Sequence, residues 1–502
     1  MKKIISILLV VLMIASLAAC GGTPDDKPDD TSDTSAEITT DETTATIEEA
    51  WLSKPSAEKY DGVFKAGFGR VDITPELPMP RKNGKEATTL DDPIYATCIA
   101  VNDGKNTALI YTVDVPNITD VKCSELKLRI QISTKVPKEN IMISATHNHS
   151  SFSHGSPKDD PRVIKWSNDL NNFMVEAAKQ AIADLADTEI YYGTARTPGM
   201  AFVRRRLHED GTYSNPGTVS GLKSIAPIVG AASEADDLLQ VIRFVRADKK
   251  DIVMTNWQAH LAHSVDVKPK SLTSDIAYYV RDGVEKSDDD ALVAYFAAAS
   301  GNIGVTAPSA TQQKYKNLFA LGTALANLVK ETMKMENLTK LEAGEIVTTD
   351  RTYQIAVWKD SAERIAQAKE ILALEEGSKE QNDLLAKYGY NSLYAPKQIA
   401  DRNGSRTHYD FFISAFSFGD INFISAPYEM FDTNGMQIRE ASPYRANFIL
   451  TCAGGAGGYV PSYEAYTIYG GYEVDNTAYA CGEAEKLVAE FIAMIKENRG
   501  IS

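Results

Sequence analysis

A chain of 502 residues with a formal net charge of −16 has length for a large core but no basic surface to neutralise phosphates, which excludes nucleic acid as a partner. The same acidity opposes broad adhesion to an anionic membrane surface. An apolar fraction of 43% and a charged fraction of 24% are those of a globular protein.

In chain order, residues 1–20 read as a lipoprotein signal peptide. Lys2 and Lys3 supply the positive start, Ile4 to Leu17 the short apolar run, and Ser16-Leu17-Ala18-Ala19-Cys20 a small-residue cleavage site directly before a cysteine, as in a bacterial lipobox. The apolar run is too short for a membrane span with ordinary flanks. The expected mature protein starts at a lipidated Cys20 and is held by that anchor on the extracytoplasmic face of the bacterial cell membrane. Residues 21–55 are rich in Thr, Ser, Asp and Glu and predict a disordered acidic tether, because they cannot bury enough surface to offset chain entropy. Four further cysteines, Cys98, Cys123, Cys452 and Cys481, sit in apolar or small-residue contexts, which leaves both disulfides and buried thiols open.

A single folded domain is expected over 60–502. Strands are predicted around Phe64 to Thr74, Ile94 to Val101 and Thr107 to Val113, the last ending at Asp114. A helical pattern covers Ser124 to Ile132, and a long amphipathic helix covers Val163 to Leu185. Strands follow at Glu189 to Thr194, Leu238 to Val245, Ile252 to Ala259 and Leu292 to Ala299. Long helices are predicted over Gln312 to Met335 and Ser361 to Lys387, the second as a charged surface arm. A hairpin turns at Gly419-Asp420, a last strand covers Ala446 to Thr451, and a helix covers Ala480 to Asn498. Interleaved helices and strands predict an α/β fold with a mixed β-sheet core flanked by helices.

The stretch from Asn140 to Gly155 carries the chemistry. Three of the seven histidines, His147, His149 and His154, fall there, directly after the apolar run Ile141-Met142-Ile143. If that run continues as a strand, His147 and His149 project from one face at its end, where ligands gather in α/β sheets. Imidazoles at that spacing suit a divalent ion of the zinc type. A second strand ends in His260, with His263 close behind.

The motifs AGFGRVDITP, DDPIYATCIAV, SATHNHSS, FVRRR, DLLQVIRF, NWQAH, GNIGVTAP, SAPYE and GGYVP occur in an order that resembles the neutral/alkaline non-lysosomal ceramidase family, from about Val63 to Tyr472. The resemblance implies that family's catalytic domain, without the C-terminal β-sandwich many members carry, and a zinc amidohydrolase acting on ceramide or another N-acylated lipid. It implies His149 as ligand with His147 beside it, and Glu429 as a third. Asp91 stands where relatives have a ligand histidine and is expected to bind the metal through oxygen, and Ala456 stands where they have a ligand tyrosine, with Tyr459 matching a second family tyrosine and expected among the catalytic residues. Ala307 stands at the family's serine position, with Thr306 beside it. His260 is expected as general base or oxyanion donor, Arg205 or a neighbour among Arg204 to Arg206 as the pocket arginine, and Asp114 as an orienting carboxylate for a histidine or an arginine. A small-molecule or lipid amide is the expected substrate. A ceramidase-fold binding lipoprotein without turnover, or a solute-binding lipoprotein of a transporter, are the alternatives.

Overall fold

The computed structural model of the chain describes residues 50–80, 86–152, 160–214, 226–262, 270–288, 290–390, 393–469 and 471–501. Cys20, the acidic stretch before residue 50, His154 and His263 lie outside them. The described residues belong to one compact unit, Thr44–Ser502. None of their helices is long and apolar enough to cross a membrane.

The main sheet is built from β1 (Lys65–Asp72), β2 (Tyr95–Asn102), β3 (Thr107–Val113), β4 (Ile141–Ala145), β5 (Ala186–Arg196), β6 (Leu238–Arg246), β7 (Asp251–Trp257) and β8 (Ala291–Ala297). Their spatial order is β8-β7-β6-β5-β1-β2-β3-β4, with Thr339–Leu341 added beside β5. A second sheet holds β9 (Val347–Ala356), β10 (His408–Phe418), β11 (Ile421–Ser425) and β12 (Ala446–Leu450), in that order. Most neighbours are antiparallel, but β3–β4, β7–β8 and β11–β12 are parallel. This is the mixed sheet expected from the sequence.

Helices α1 (Asp120–Thr134) and α2 (Pro161–Ala183) cover the outer face of the first half of the main sheet. Asp160 caps α2 and Pro161 takes its first position, where a missing backbone N–H costs nothing. Gly67 and Gly69 of β1 let α2 lie directly on the strand, since a Cβ at either would stand 2.1 Å from the carbonyl of Ala181 or Ala177. That contact explains the glycines of AGFGR. Helices α3 (Ile276–Glu285) and α4 (Leu318–Thr332) cover the other half. The inner faces of both halves meet the second sheet around Phe244, Phe296, Phe418, Phe423 and Phe448, all fully buried. Burial of a large apolar side chain is worth about 1.5–3 kcal/mol, so this aromatic seam fixes the two sheets together.

Two expectations change. The single long helix expected over Ser361 to Lys387 is two, α5 (Ala362–Leu372) and α6 (Lys379–Tyr388), because Ser378 caps the second by accepting from the Gln381 N–H. A third, α7 (Tyr394–Arg402), completes the arm, and Arg402 anchors it by pairing with Asp360. Cys98, Cys123 and Cys452 are buried free thiols, whereas Cys481 is exposed. The chain closes with α8 (Asp432–Ala441), which leads into β12, and α9 (Glu483–Asn498), which covers the second sheet.

Candidate metal centre

The parallel pairs of the two main sheets deliver their carboxyl ends to one place. His147 follows β4, His260 follows β7, Ser300 to Ile303 follow β8, Glu429 follows β11, and Cys452 to Tyr459 follow β12. Loops leaving parallel strands at their carboxyl ends are where α/β folds build ligand sites.

The His147–His149 spacing does not act through a strand. β4 stops at Ala145, and His147 adopts φ +58°, in the left-handed region. Such a conformation costs a non-glycine residue on the order of 1–3 kcal/mol and persists where neighbours over-determine it. Here they do. The Asn148 side chain donates to Thr273 O at 2.6 Å and accepts from the Ser150 N–H at 2.7 Å. The His149 N–H reaches Leu261 O at 2.9 Å. Cys452, itself at φ +49°, sets its Sγ 3.4 Å from His147 Nδ1. A turn, not strand alternation, brings the two imidazoles together.

His147 and His260 are buried, at 5% and 3% exposure, while His149 is exposed. His147 Nε2 lies 3.2 Å from His149 Nε2, 3.0 Å from His260 Nε2 and 3.3 Å from Glu429 Oε2. His260 Nε2 is also 3.3 Å from Glu429 Oε2. The far nitrogens are held: His147 Nδ1 bonds Pro116 O at 2.7 Å and His260 Nδ1 bonds Ser300 O at 2.9 Å. Carbonyls only accept, so each Nδ1 carries a proton and each Nε2 is the nitrogen turned inward. Glu429 Oε2 is buried and accepts no hydrogen bond of proper geometry among the described residues.

This donor set fits a divalent ion. The three imidazole nitrogens lie within 4.8 Å of one another, and Glu429 Oε2 lies 3.3 Å from those of His147 and His260, near enough to share one ion. Three imidazoles and one orphaned carboxylate are also the chemistry such an ion takes. The charges agree. Burial opposes a charged His147, yet Cys452 and Glu429 carry its pKa well above the ordinary imidazole value. Burial, then His147 and His260, hold His149 well below it. Burial, Arg204 and His147 push His260 down to about 4. Burial would raise Glu429, but His147 and His260 keep it well below the usual carboxylate range. The imidazoles cannot all be protonated, and a cation would take the place of the proton that remains.

Around this cluster the other expected residues are placed as follows. Tyr459 lies beside Glu429, because the short strands Glu429–Met430 and Tyr459–Val460 pair in parallel with those two residues in register. Its ring stacks 6.3 Å from that of His260. Burial, then Glu429, raise its pKa well above 10, so its hydroxyl stays protonated. Ala456 lines a separate surface cleft with Asp120, Tyr409 and Tyr479. Arg204 stands over Tyr459 at 5.6 Å and pairs with Glu473 at 2.7 Å. Arg205 is buried on the same Glu473, at 3.2 Å, with its guanidinium over Phe431. The cluster thus takes Arg204 as its neighbour, and Arg205 stands behind it.

His260, expected to assist beside the ion, is instead one of the converging donors. Asp114 serves an arginine rather than a histidine, through a bidentate pair with Arg281 at 2.9 and 2.7 Å. Asp91 is exposed at the end of the short strand Thr89–Leu90, its N–H bonded to Leu272 O, and none of the separations above involves it. Thr306 is exposed, and the neighbouring Ala307 is buried with its N–H on Gln313. Two contributors were unreadable from sequence: Cys452, which abuts His147, and Glu473, which joins the two arginines. No sequence spacing relates either to its partners.

Fold and cluster together define a mixed α/β protein with a histidine–carboxylate cluster at the strand ends. The particular fold is neutral ceramidase-like. A solved structure described as "Ceramidase complexed with C2" matches with a TM-score of 0.64 at 17% identity, covering 88% of this chain and 76% of that one. The neutral ceramidase from Pseudomonas aeruginosa matches with a TM-score of 0.65 at 17% identity, covering 88% and 75%. No protein-family model and no curated protein matches the chain.

Proposed function

We propose that this protein is a zinc-dependent hydrolase that cleaves an amide bond in a lipid or other N-acylated substrate. The convergence of His147, His149, His260 and Glu429 carries the reading, and the ceramidase-like fold supports the amide. These residues would hold a zinc-type ion, which would supply Lewis acidity toward a substrate carbonyl or a water. The chain's own residues do the rest. Pro116 and Ser300 fix the tautomers of His147 and His260. Glu429 stays ionised and offsets the charge of the ion. Tyr459 keeps its proton and donates to an oxygen that gains charge as the amide is attacked. Arg204 adds fixed positive charge beside it. His149, the exposed member of the cluster, closes it on the solvent side. The lipobox ending in Cys20 supports action at the extracytoplasmic face of the membrane, with the acidic stretch as tether.

Metal analysis of the purified protein, paired with hydrolysis of a short-chain ceramide and of N-acyl amino acids, tests this. Expected is about one ion per chain, removed by chelator together with amide cleavage. A protein without metal that cleaves no amide overturns it. Ala307, which puts no hydroxyl at the expected serine position, favours a second reading, a binding lipoprotein of the same fold. Metal and ligand binding without turnover would support that one.

A further inference from the structure

The loop after β8 reaches His260, Arg204 and the Glu429 segment. Four consecutive carbonyls each accept from a site residue. Ser300 O takes His260 Nδ1 at 2.9 Å, and Gly301 O takes the Arg204 guanidinium. Asn302 O takes the Arg204 N–H at 2.9 Å, and Ile303 O takes the His260 N–H at 3.2 Å. The same loop grips the Glu429 segment. The Gly301 N–H donates to Met430 O at 2.7 Å, and a Cβ on Gly301 would stand 2.5 Å from Glu429 O.

The end of the loop is held by pairing of Ile303 and Gly304 with Val203 and Phe202, and ahead of that pair one side chain ties it to the Glu429 segment. Asn302, 4% exposed, donates through Nδ2 to Asp432 Oδ1 at 2.7 Å and accepts from the Asp432 N–H at 3.0 Å. Asp432 is fully buried and in turn accepts from the N–H groups of Asp236 at 3.1 Å and Thr433 at 2.8 Å. Asn302 therefore clamps two strand-end loops, one carrying the carbonyls that aim His260 and Arg204, the other carrying Glu429.

We propose that Asn302 is the positioning residue of the metal centre, holding His260 and Glu429 at their mutual distance through its reciprocal bonds to Asp432. The proposal rests on the metal reading above. Residues that orient ligands from behind contribute about 10–100-fold to metal affinity.

The test uses isosteric changes in the full chain. Asn302→Asp removes the donor and sets two carboxylates face to face. Zinc affinity, read by competition with a chromophoric chelator, is expected to fall about 10–100-fold. The visible spectrum of the cobalt-loaded protein is expected to change with it. Asn302→Leu, of similar size and unable to hydrogen-bond, breaks the clamp without setting two carboxylates together and should lower affinity by a similar factor, again with a changed spectrum. Wild-type affinity and spectrum in a folded Asn302→Asp overturn the proposal. If Asn302→Asp does not fold, Asn302→Leu decides alone, weakened affinity with a changed spectrum supporting the proposal and wild-type values overturning it. A wild-type protein that binds neither zinc nor cobalt overturns the metal reading and this proposal together. Binding in wild type that Asn302→Asp leaves unaltered overturns this one alone.

Discussion

Glu429 and Asp114 are shielded carboxylates at strand ends, and their surroundings are opposite. Asp114, 1% exposed, has a bidentate Arg281, the Tyr95 N–H at 2.9 Å and Ser274 Oγ at 3.0 Å. Glu429 Oε2 faces two imidazole nitrogens at 3.3 Å and accepts no well-formed hydrogen bond. A buried carboxylate with a permanent guanidinium partner is structural. One that faces imidazoles whose other nitrogens are already pinned to carbonyls is a site prepared for a cation. Burial alone does not separate the two; the protonation state and tautomer of the partners do.

The contrast can be broken or sharpened by experiment. The largest effect is expected at Asp114. Arg281→Met leaves its charge buried and unpaired, at a cost of about 3–5 kcal/mol in denaturant unfolding, and Asp114→Asn in the same chain should recover most of it. A loss under about 1 kcal/mol would remove the structural side of the comparison. Next come His147→Ala and Glu429→Gln. Each should weaken zinc more than about 100-fold, since each removes an inner donor rather than an outer support. Unfolding of the cation-free protein should shift less than in Arg281→Met.

A smaller effect concerns protons. His147 has its pKa raised, so it holds a proton at neutral pH that an incoming cation must expel. Calorimetry in buffers of different ionisation enthalpy should show about one proton released near neutral pH, and affinity falling as the pH is lowered. No release would mean that the cluster is not the binding site. His149→Ala, which removes the exposed donor, should cost about tenfold, less than either inner ligand.

A further effect lies in the structural network. Asp92 bonds Thr273 and the Ser274 N–H, and burial raises its pKa to about 7. The folded state therefore binds the extra proton. Its contribution is fully present below the unfolded value near 4 and is lost as pH rises through about 7. Thermal unfolding from pH 4 to 8 should show a decline in wild type that Asp92→Asn flattens. Equal slopes in the two proteins would show that Asp92 titrates as it does in water.

Much of the fold was legible. Alternation and apolar runs located β1 to β8, because strands packed on both faces must be apolar and hairpins need their turns. β9 escaped notice, since Val347–Ala356 is mostly half-exposed and polar. The site was half legible. Apolar runs ending in His147 and His260 were visible as two strand ends aimed at one place. Which donor does what was not. Arg204 and Arg205 are neighbours of the same type, and only Glu473, far along the chain, sorts them. Ala456 and Tyr459 are three residues apart, and only the parallel register with Glu429 sets the tyrosine at the centre.

By itself the sequence determined the inventory: the mixed α/β layering, the histidines at strand ends and the Pro-x-Glu carboxylate. Hydrophobic period and turn chemistry are local, so one chain suffices to read them. Only the tertiary structure decided that His147 turns through a left-handed residue, that His260 is a donor, and that the Ser300–Ile303 carbonyls aim the centre. Those outcomes depend on contacts between segments from 40 to 305 residues apart. The geometry of a metal site is set by such contacts and not by spacing along the chain.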